Sequence, residues 1–221
     1  MTRTAFERQL TEIQEDMLVM GGMVEHAIER GIQALKNRDV ELAQQIIADD
    51  LKINQKRYET EEKCLELIAT QQPLASDLRT IVSVLHVTVD LERMGDHAEG
   101  IAKIAVMLAD QPQLKPYIDI PRMAEIGTSM LMDSLEAFKQ RDTALAREIC
   151  NRDDEVDALY EQVYRKLLTY MIDDPKTIQR ATYLMWVSHN LERIADRVTN
   201  ICERVVYLVE GRIQELNVSK Y

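Results

Sequence analysis

The sequence predicts an all-α protein built as two tandem, pseudo-symmetric three-helix bundles. Three observations carry this reading. The 221-residue chain holds 7 Gly and 5 Pro, together roughly 5% against a usual share of about 12%, so it lacks the punctuation of a many-stranded sandwich or barrel. Apolar residues recur at three- and four-residue intervals over long stretches, which is the period of a helix face. The second half of the chain then repeats the plan of the first at a spacing of roughly 100 residues. That is well beyond the about 20–50 of a solenoid, so it points to a duplicated domain.

The first helix is expected over 4–36, with Leu10, Ile13, Met17, Met20, Val24, Ala27 and Leu35 on one face. Asn37-Arg38-Asp39 breaks it, and Asp39 has the short acceptor side chain of an N-cap for the second helix, which runs to about residue 70. Pro73 ends that stretch, because the residue before a proline avoids helical geometry. The third helix, about 74–109, carries an unbroken stripe: Val84, Val87, Leu91, Met94, Ala98, Ile101, Ala105 and Leu108.

Three of the five prolines (Pro112, Pro116 and Pro121) then fall close together, the strongest boundary signal in the chain. The expected units are therefore residues 1–112 and 113–221. The fourth helix is expected over 122–139 and ends at Gln140-Arg141-Asp142, where Asp142 takes the place of Asp39, 103 positions on. The fifth covers about 143–172 and stops before Pro175, the counterpart of Pro73. The sixth covers about 176–210, and its stripe (Leu184, Val187, Leu191, Ile194, Val198, Ile201, Val205, Leu208) is that of the third helix shifted by 100. Leu91-Glu92-Arg93-Met94-Gly95-Asp96 aligns with Leu191-Glu192-Arg193-Ile194-Ala195-Asp196. Amphipathicity constrains apolar positions alone, so the matching Glu, Arg and Asp argue for duplication.

Charge and composition narrow the function. The formal net charge is −11, and an acidic chain repels a phosphate backbone, which disfavours nucleic acid as a partner. Three cysteines with no CxxC spacing argue against a disulfide framework and fit a reducing cytoplasm. The N-terminus lacks the apolar core of a signal peptide, and no stretch reaches the ~18 apolar residues of a membrane span. Contact with a membrane is expected only through partners. There is no P-loop, nucleophile elbow or kinase motif. The residues three before each histidine (Met23, Ser83, Met94, Trp186) are never Glu, so the Glu-x-x-His signature of di-iron bundles is missing.

What remains is a pattern of carboxylates. Glu92 and Asp96 lie four apart, hence one turn apart on one helix face, and Glu192 and Asp196 repeat them. The middle helix of each half supplies a second pair: Asp50 with Asn54, and Asp153 with Asp157, 103 positions later. If these helices pack antiparallel, each half gathers four oxygen donors. Like charges at this spacing repel, and a bridging Mg²⁺, Mn²⁺ or Fe cation would relieve the repulsion. The alternative is a solvated acidic face with Arg93 and Arg193 as local partners. Two further features read first as packing: Tyr183, Trp186 and Tyr207 as core or bundle edge, and Met17, Met20 and Met23 as core filling. The three cysteines read as buried helix positions.

The two copies of Leu-Glu-Arg-x-[Gly/Ala]-Asp, each late in the third helix of a three-helix unit, resemble the PhoU family of phosphate-signalling regulators. Gln72-Pro73-Leu74-Ala75-Ser76-Asp77-Leu78-Arg79, Leu167 to Pro175, and Arg197-Val198-Thr199-Asn200-Ile201-Cys202-Glu203 extend the resemblance over nearly the whole chain. It implies a non-enzymatic cytoplasmic protein that represses the phosphate-starvation response when phosphate is plentiful. Its implied partners are the cytoplasmic component of a Pst-type phosphate ABC transporter and a PhoR-type sensor histidine kinase. It also implies bound metal cations (iron, zinc, manganese or magnesium) on Glu92, Asp96, Glu192 and Asp196, supported by Asp50, Asp153, Asp157 and Asn54. No catalytic residue is implied. A homodimer is expected, since apolar half-faces such as Leu78, Leu85 and Val89 exceed what three helices bury. Asn54, opposite Asp157 in the repeat, is a neutral and weaker donor. The competing reading is a carboxylate-bridged di-metal enzyme, a phosphohydrolase or oxidase.

Overall fold

The computed structural model describes residues 3–114 and 119–216. Lys115 and Pro116, part of the expected join, lie outside them. Six long helices follow in order: α1 (Arg3–Asn37), α2 (Val40–Gln71), α3 (Ala75–Leu108), α4 (Asp119–Gln140), α5 (Thr143–Asp173) and α6 (Ile178–Glu210), with a 3₁₀ turn at Pro175–Thr177 before α6. The all-α architecture stands as expected. Within the first half α1, α2 and α3 pack on one another; within the second α4, α5 and α6 do the same. Short connections between successive helices make neighbours antiparallel. The halves meet through α3 against α6 and α1 against α4, while among the described residues α2 and α5 touch only their own half.

The two α-hairpin turns are copies of one another at atomic level. Arg38 and Arg141 both take the left-handed conformation, at φ 57°. The next amide in each turn closes back onto the helix it leaves: Asp39 N donates to Ala34 O at 3.0 Å and Asp142 N to Ala137 O at 2.9 Å, a Schellman closure that satisfies late carbonyls. Asp39 Oδ1 then accepts from Leu42 N at 2.9 Å, and Asp142 Oδ1 from Ala144 N at 2.9 Å and Leu145 N at 3.0 Å. Both expected N-caps are real.

Proline positions correct one boundary. Pro121 lies inside the first turn of α4 rather than in the link before it. A first-turn residue has no intrahelical acceptor for its N–H, so proline costs nothing there and its fixed φ suits the helix.

The core is continuous across the halves. α3 is apolar on two sides: Val84, Val87, Leu91, Met94 and Ile101 are fully buried, and so are Ala98 and Ala102. A helix enclosed on several sides loses its polar face. The α3–α6 seam also carries polar contacts that obey the repeat. His97 Nδ1 lies 2.9 Å from Asn190 Oδ1, and one repeat length away Arg197 Nη1 donates to Asp90 Oδ1 at 3.1 Å. Residue 97 meets 190 as 197 meets 90, which is the reciprocity of a two-fold interface. Methionines 17 and 20 are core residues and Met23 packs against the core, and all three cysteines are buried. Trp186 takes the bundle-edge rather than the core position: it is 51% exposed, its ring tilted against that of Tyr183 at 5.5 Å.

Candidate functional site

The helix pairs α2–α3 and α5–α6 bring the eight predicted donors together as two sets of four. In the first set Asp50 is only 9% exposed. Asn54 Nδ2, one turn on, donates to Asp50 Oδ2 at 2.9 Å. Asp50 Oδ1 has no hydrogen-bond partner. Burial above all, then the charges of Glu99, Asp96 and Glu92, push the Asp50 carboxyl above its usual range, against the Asn54 bond. Gly95 sits beside it: a Cβ there would lie 3.3 Å from Asp50 Oδ1. The glycine of the motif therefore leaves room for the carboxylate across the seam.

Glu92 accepts from Arg57 Nη1 at 3.2 Å through Oε1. Its Oε2 has no hydrogen-bond partner, although Arg93 Nε stands 3.5 Å away. Asp96 accepts from Arg93 Nη1 at 3.3 Å. Glu99 joins the cluster and pairs with Lys103 at 2.6 Å.

The second set is more acidic. Asp153 is 1% exposed. Burial, then Asp157, Asp196, Glu192 and Asp154, push its carboxyl up to about 7. Glu192 is also pushed up to about 7 by burial and Asp196, with Arg193 opposing and Asp157 adding to the rise. Arg193 Nη1 holds Asp196 Oδ2 at 2.5 Å. His189 Nδ1 lies 3.4 Å from Glu192 Oε2, and the His189 ring stands 6.2 Å from that of Tyr160. Burial and the Glu192 charge raise the Tyr160 phenol.

The motifs lie at the rim of the helix pairs, with the glutamates largely covered and Asp96 and Asp196 still open to solvent. The Glu92 side chain is 12% exposed and that of Asp96 41%; of the α2 and α5 partners Asp50 and Asp153 are buried, while Asn54 and Asp157 are half-buried. Antiparallel neighbours close over a face that a single helix leaves open. Arg57, Tyr160 and Glu99 were not in the predicted set. Arg57 and Tyr160 lie three positions after Asn54 and Asp157 at matched repeat positions, a legible signal once the α2 and α5 pairs are known to face α3 and α6.

The donors fit a hard cation. They are carboxylate and amide oxygens, the ligand type such ions prefer. Four buried oxygens or carbonyls, Asp50 Oδ1, Asn54 Oδ1, Glu92 Oε2 and Glu192 Oε2, have no hydrogen-bond partner, and buried acceptors normally have one. Among the described residues no three His, Cys, Asp or Glu side chains already close on a single point.

The PhoU domain family matches residues 17–105 and 120–205, one copy in each half. The chain belongs to the PhoU family. It is 43% identical over 206 residues to the "phosphate-specific transport system accessory protein PhoU homolog" of Aquifex aeolicus, covering 93% of each chain. The Clostridium acetobutylicum protein of the same name is 40% identical over 98% of this chain and 100% of its own. The crystal structure of PhoU from Pseudomonas aeruginosa superposes with a TM-score of 0.89 at 36% identity, covering 94% of this chain and all of that one. The Streptococcus pneumoniae phosphate transport system regulatory protein PhoU gives a TM-score of 0.89 at 35% identity. Both agree with the PhoU arrangement of two three-helix bundles. Among the described residues no helix is long and apolar enough to cross a membrane.

Proposed function

We propose that this PhoU protein is a non-enzymatic regulator of phosphate homeostasis. It couples a Pst-type phosphate ABC transporter to a PhoR-type sensor histidine kinase and represses the starvation response when phosphate is plentiful. It acts in the cytoplasm as a homodimer, reaching the membrane only through these partners, with residues 1–112 and 113–221 as its two units. The single observation that carries this reading is 40–43% identity, over nearly the whole chain, to proteins named as accessories of a phosphate-specific transport system.

Two features of the chain support the details. Each half holds a set of facing oxygen donors suited to metal cations: Asp50, Asn54, Glu92 and Asp96 in the first, and Asp153, Asp157, Glu192 and Asp196 in the second. A bound cation would supply positive charge there and let the two helices of each pair stay close. Leu74 just before α3, Leu78 in its first turn, Ile178 at the start of α6 and Trp186 two turns further on are exposed, the kind of apolar surface that partners cover. Pull-down of the transporter's cytoplasmic component and of the kinase by the wild type tests the proposal. Asp96→Ala/Asp196→Ala protein should lose bound metal and weaken both captures. Equal capture at equal metal content would overturn the metal-dependent part. Turnover of phosphoesters, or oxidase activity of iron-loaded protein, would favour the di-metal enzyme.

A further inference from the structure

We infer that a cavity between α1, α2 and α3 in the first half is a site for a small organic ammonium ion, with its charge on Asp50 and its carbon body on an apolar wall. The inference goes beyond the regulatory role and needs no metal.

The cavity measures about 160 Å³. A space of about 150 Å³ takes a molecule the size of benzene. Met23 and Ala27 of α1 and Ile46 and Ile53 of α2 supply its apolar wall, and Asp50 lines it beside Gly95. An apolar wall with a few convergent polar groups is the usual build of a small-molecule site. Gly95 keeps this corner open, because a Cβ there would lie 3.2 Å from Ile53 Cδ1 and 3.3 Å from Asp50 Oδ1.

Asp50 is the side chain of the wall with an unmet bond. It is 9% exposed. Its Oδ2 accepts from Asn54, while its Oδ1 has no partner, and buried acceptors normally have one. The other charged side chains of the wall are already paired. Arg30 and Lys52 both hold Asp49, at 2.9 and 2.7 Å, and Glu99 is held by Lys103 at 2.6 Å. His26 stands at the exposed rim. The wall therefore lacks a donor, and a positively charged N–H is the strongest donor to a carboxylate. A bare metal ion would leave the apolar part of the cavity uncovered, whereas an ammonium ion with a carbon body meets both surfaces.

The duplication shows that this space is not demanded by the fold. Ala27 corresponds to Met130 and Gly95 to Ala195. Both second-half residues are larger, and both are fully buried. The first copy keeps the smaller side chain at two positions on different helices, and both positions line the same cavity.

Calorimetric titration of the chelator-treated full chain with benzylammonium tests the inference. One saturable equivalent is expected, with shifts confined to methyl resonances around the cavity, those of Ile46 and Ile53 foremost. Benzyl alcohol has a similar shape without the charge and should bind at least about tenfold more weakly, a hydrogen bond to a charged group being worth on that order. Asp50→Asn should weaken benzylammonium to a similar degree. Ala27→Met leaves all eight oxygen donors in place and should abolish binding by filling the cavity. Ala27→Leu serves the same purpose if the methionine variant loses its cooperative thermal unfolding. No saturable binding, equal binding of benzyl alcohol, or unchanged binding by a folded Ala27 variant would overturn the inference. The metal reading is decided separately, by the metal content of the Asp96→Ala/Asp196→Ala protein.

Discussion

Arg30 on α1 holds Asp49 on α2 at 2.9 Å, and the second half makes the same bond with its charges exchanged. At the matched positions, 103 residues on, Asp133 accepts from Arg152 at 2.6 Å. A second pair keeps its polarity: Lys63 with Asp16 at 2.7 Å matches Lys166 with Asp119 at 2.5 Å. What recurs is attraction between two positions, not the identity of either residue.

Exchange should therefore be tolerated where single reversal is not. Asp133→Arg and Arg152→Asp each place like charges together and should destabilise by about 1 kcal/mol, the scale of a partly exposed pair. The double variant should recover most of the loss. Urea unfolding of the four proteins gives the coupling energy, and additive losses would refute the prediction.

The second cluster should make metal-free stability fall as pH rises. Asp153 and Glu192 titrate near 7 in the folded protein, against about 4 for a free carboxyl. Between those values the native state holds protons that the unfolded chain has lost, so each unit of rising pH favours unfolding. Their stabilising effect is complete below about pH 4 and is lost through about pH 7. With chelator present, the Tm should drop between about pH 5 and pH 8, and Asp153→Asn should flatten the slope. Mn²⁺ should oppose the fall, since it binds the deprotonated carboxylates.

Gly21 lies where α1 packs against Leu135 of α4. A Cβ at this position would overlap the Leu135 Cδ1 methyl, whereas one at Gly22 would meet nothing within 4 Å. Gly21→Ala should cost about 1–3 kcal/mol through overpacking, or about 2–4 °C of Tm per kcal/mol for a chain of this size. Gly22→Ala should raise stability by up to about 1 kcal/mol, because alanine is the better helix former. Equal effects at the two positions in calorimetry would rule out the packing account.

Asp90 anchors the α3–α6 seam. It accepts from Arg197 and from Asn200, both at 3.1 Å, in a largely buried position. Burial raises its carboxyl, against those two bonds and the charges of Arg197 and Arg204. Asp90→Ala leaves a guanidinium and an amide without their acceptor and should cost about 1–3 kcal/mol. Asp90→Asn keeps an acceptor, matches Asn190 in the repeat, and should cost less. Thermal unfolding should place the alanine variant below the asparagine variant, and equal Tm values would refute the anchoring role.

Six helices, their two N-caps and the duplication were legible in the sequence because each is a local signal. Periodicity, capping residues and a repeated motif need no knowledge of what lies across the chain. The i,i+4 pairing of Asp50 with Asn54, Glu92 with Asp96 and their repeats was legible for the same reason, since that spacing places two oxygens on one face of one helix whatever packs against it. Pro121 was misplaced because a helix start and a loop both accept proline. Whether Trp186 lies in the core or at the bundle edge was not legible, because an aromatic residue on a helix shows its size in sequence, not its neighbour.

By itself, the sequence determined the helices, the halves and which oxygens share a turn. Only the tertiary structure decided which helices face each other, and so that these oxygens form two separate, partly buried sets on α2–α3 and α5–α6. It also decided that Arg57 reaches Glu92 while Tyr160 stands beside His189 and Glu192. The physical reason is that electrostatics depends on separation and burial. Both are fixed when antiparallel helices close on one another, and neither is written in the spacing along a single helix.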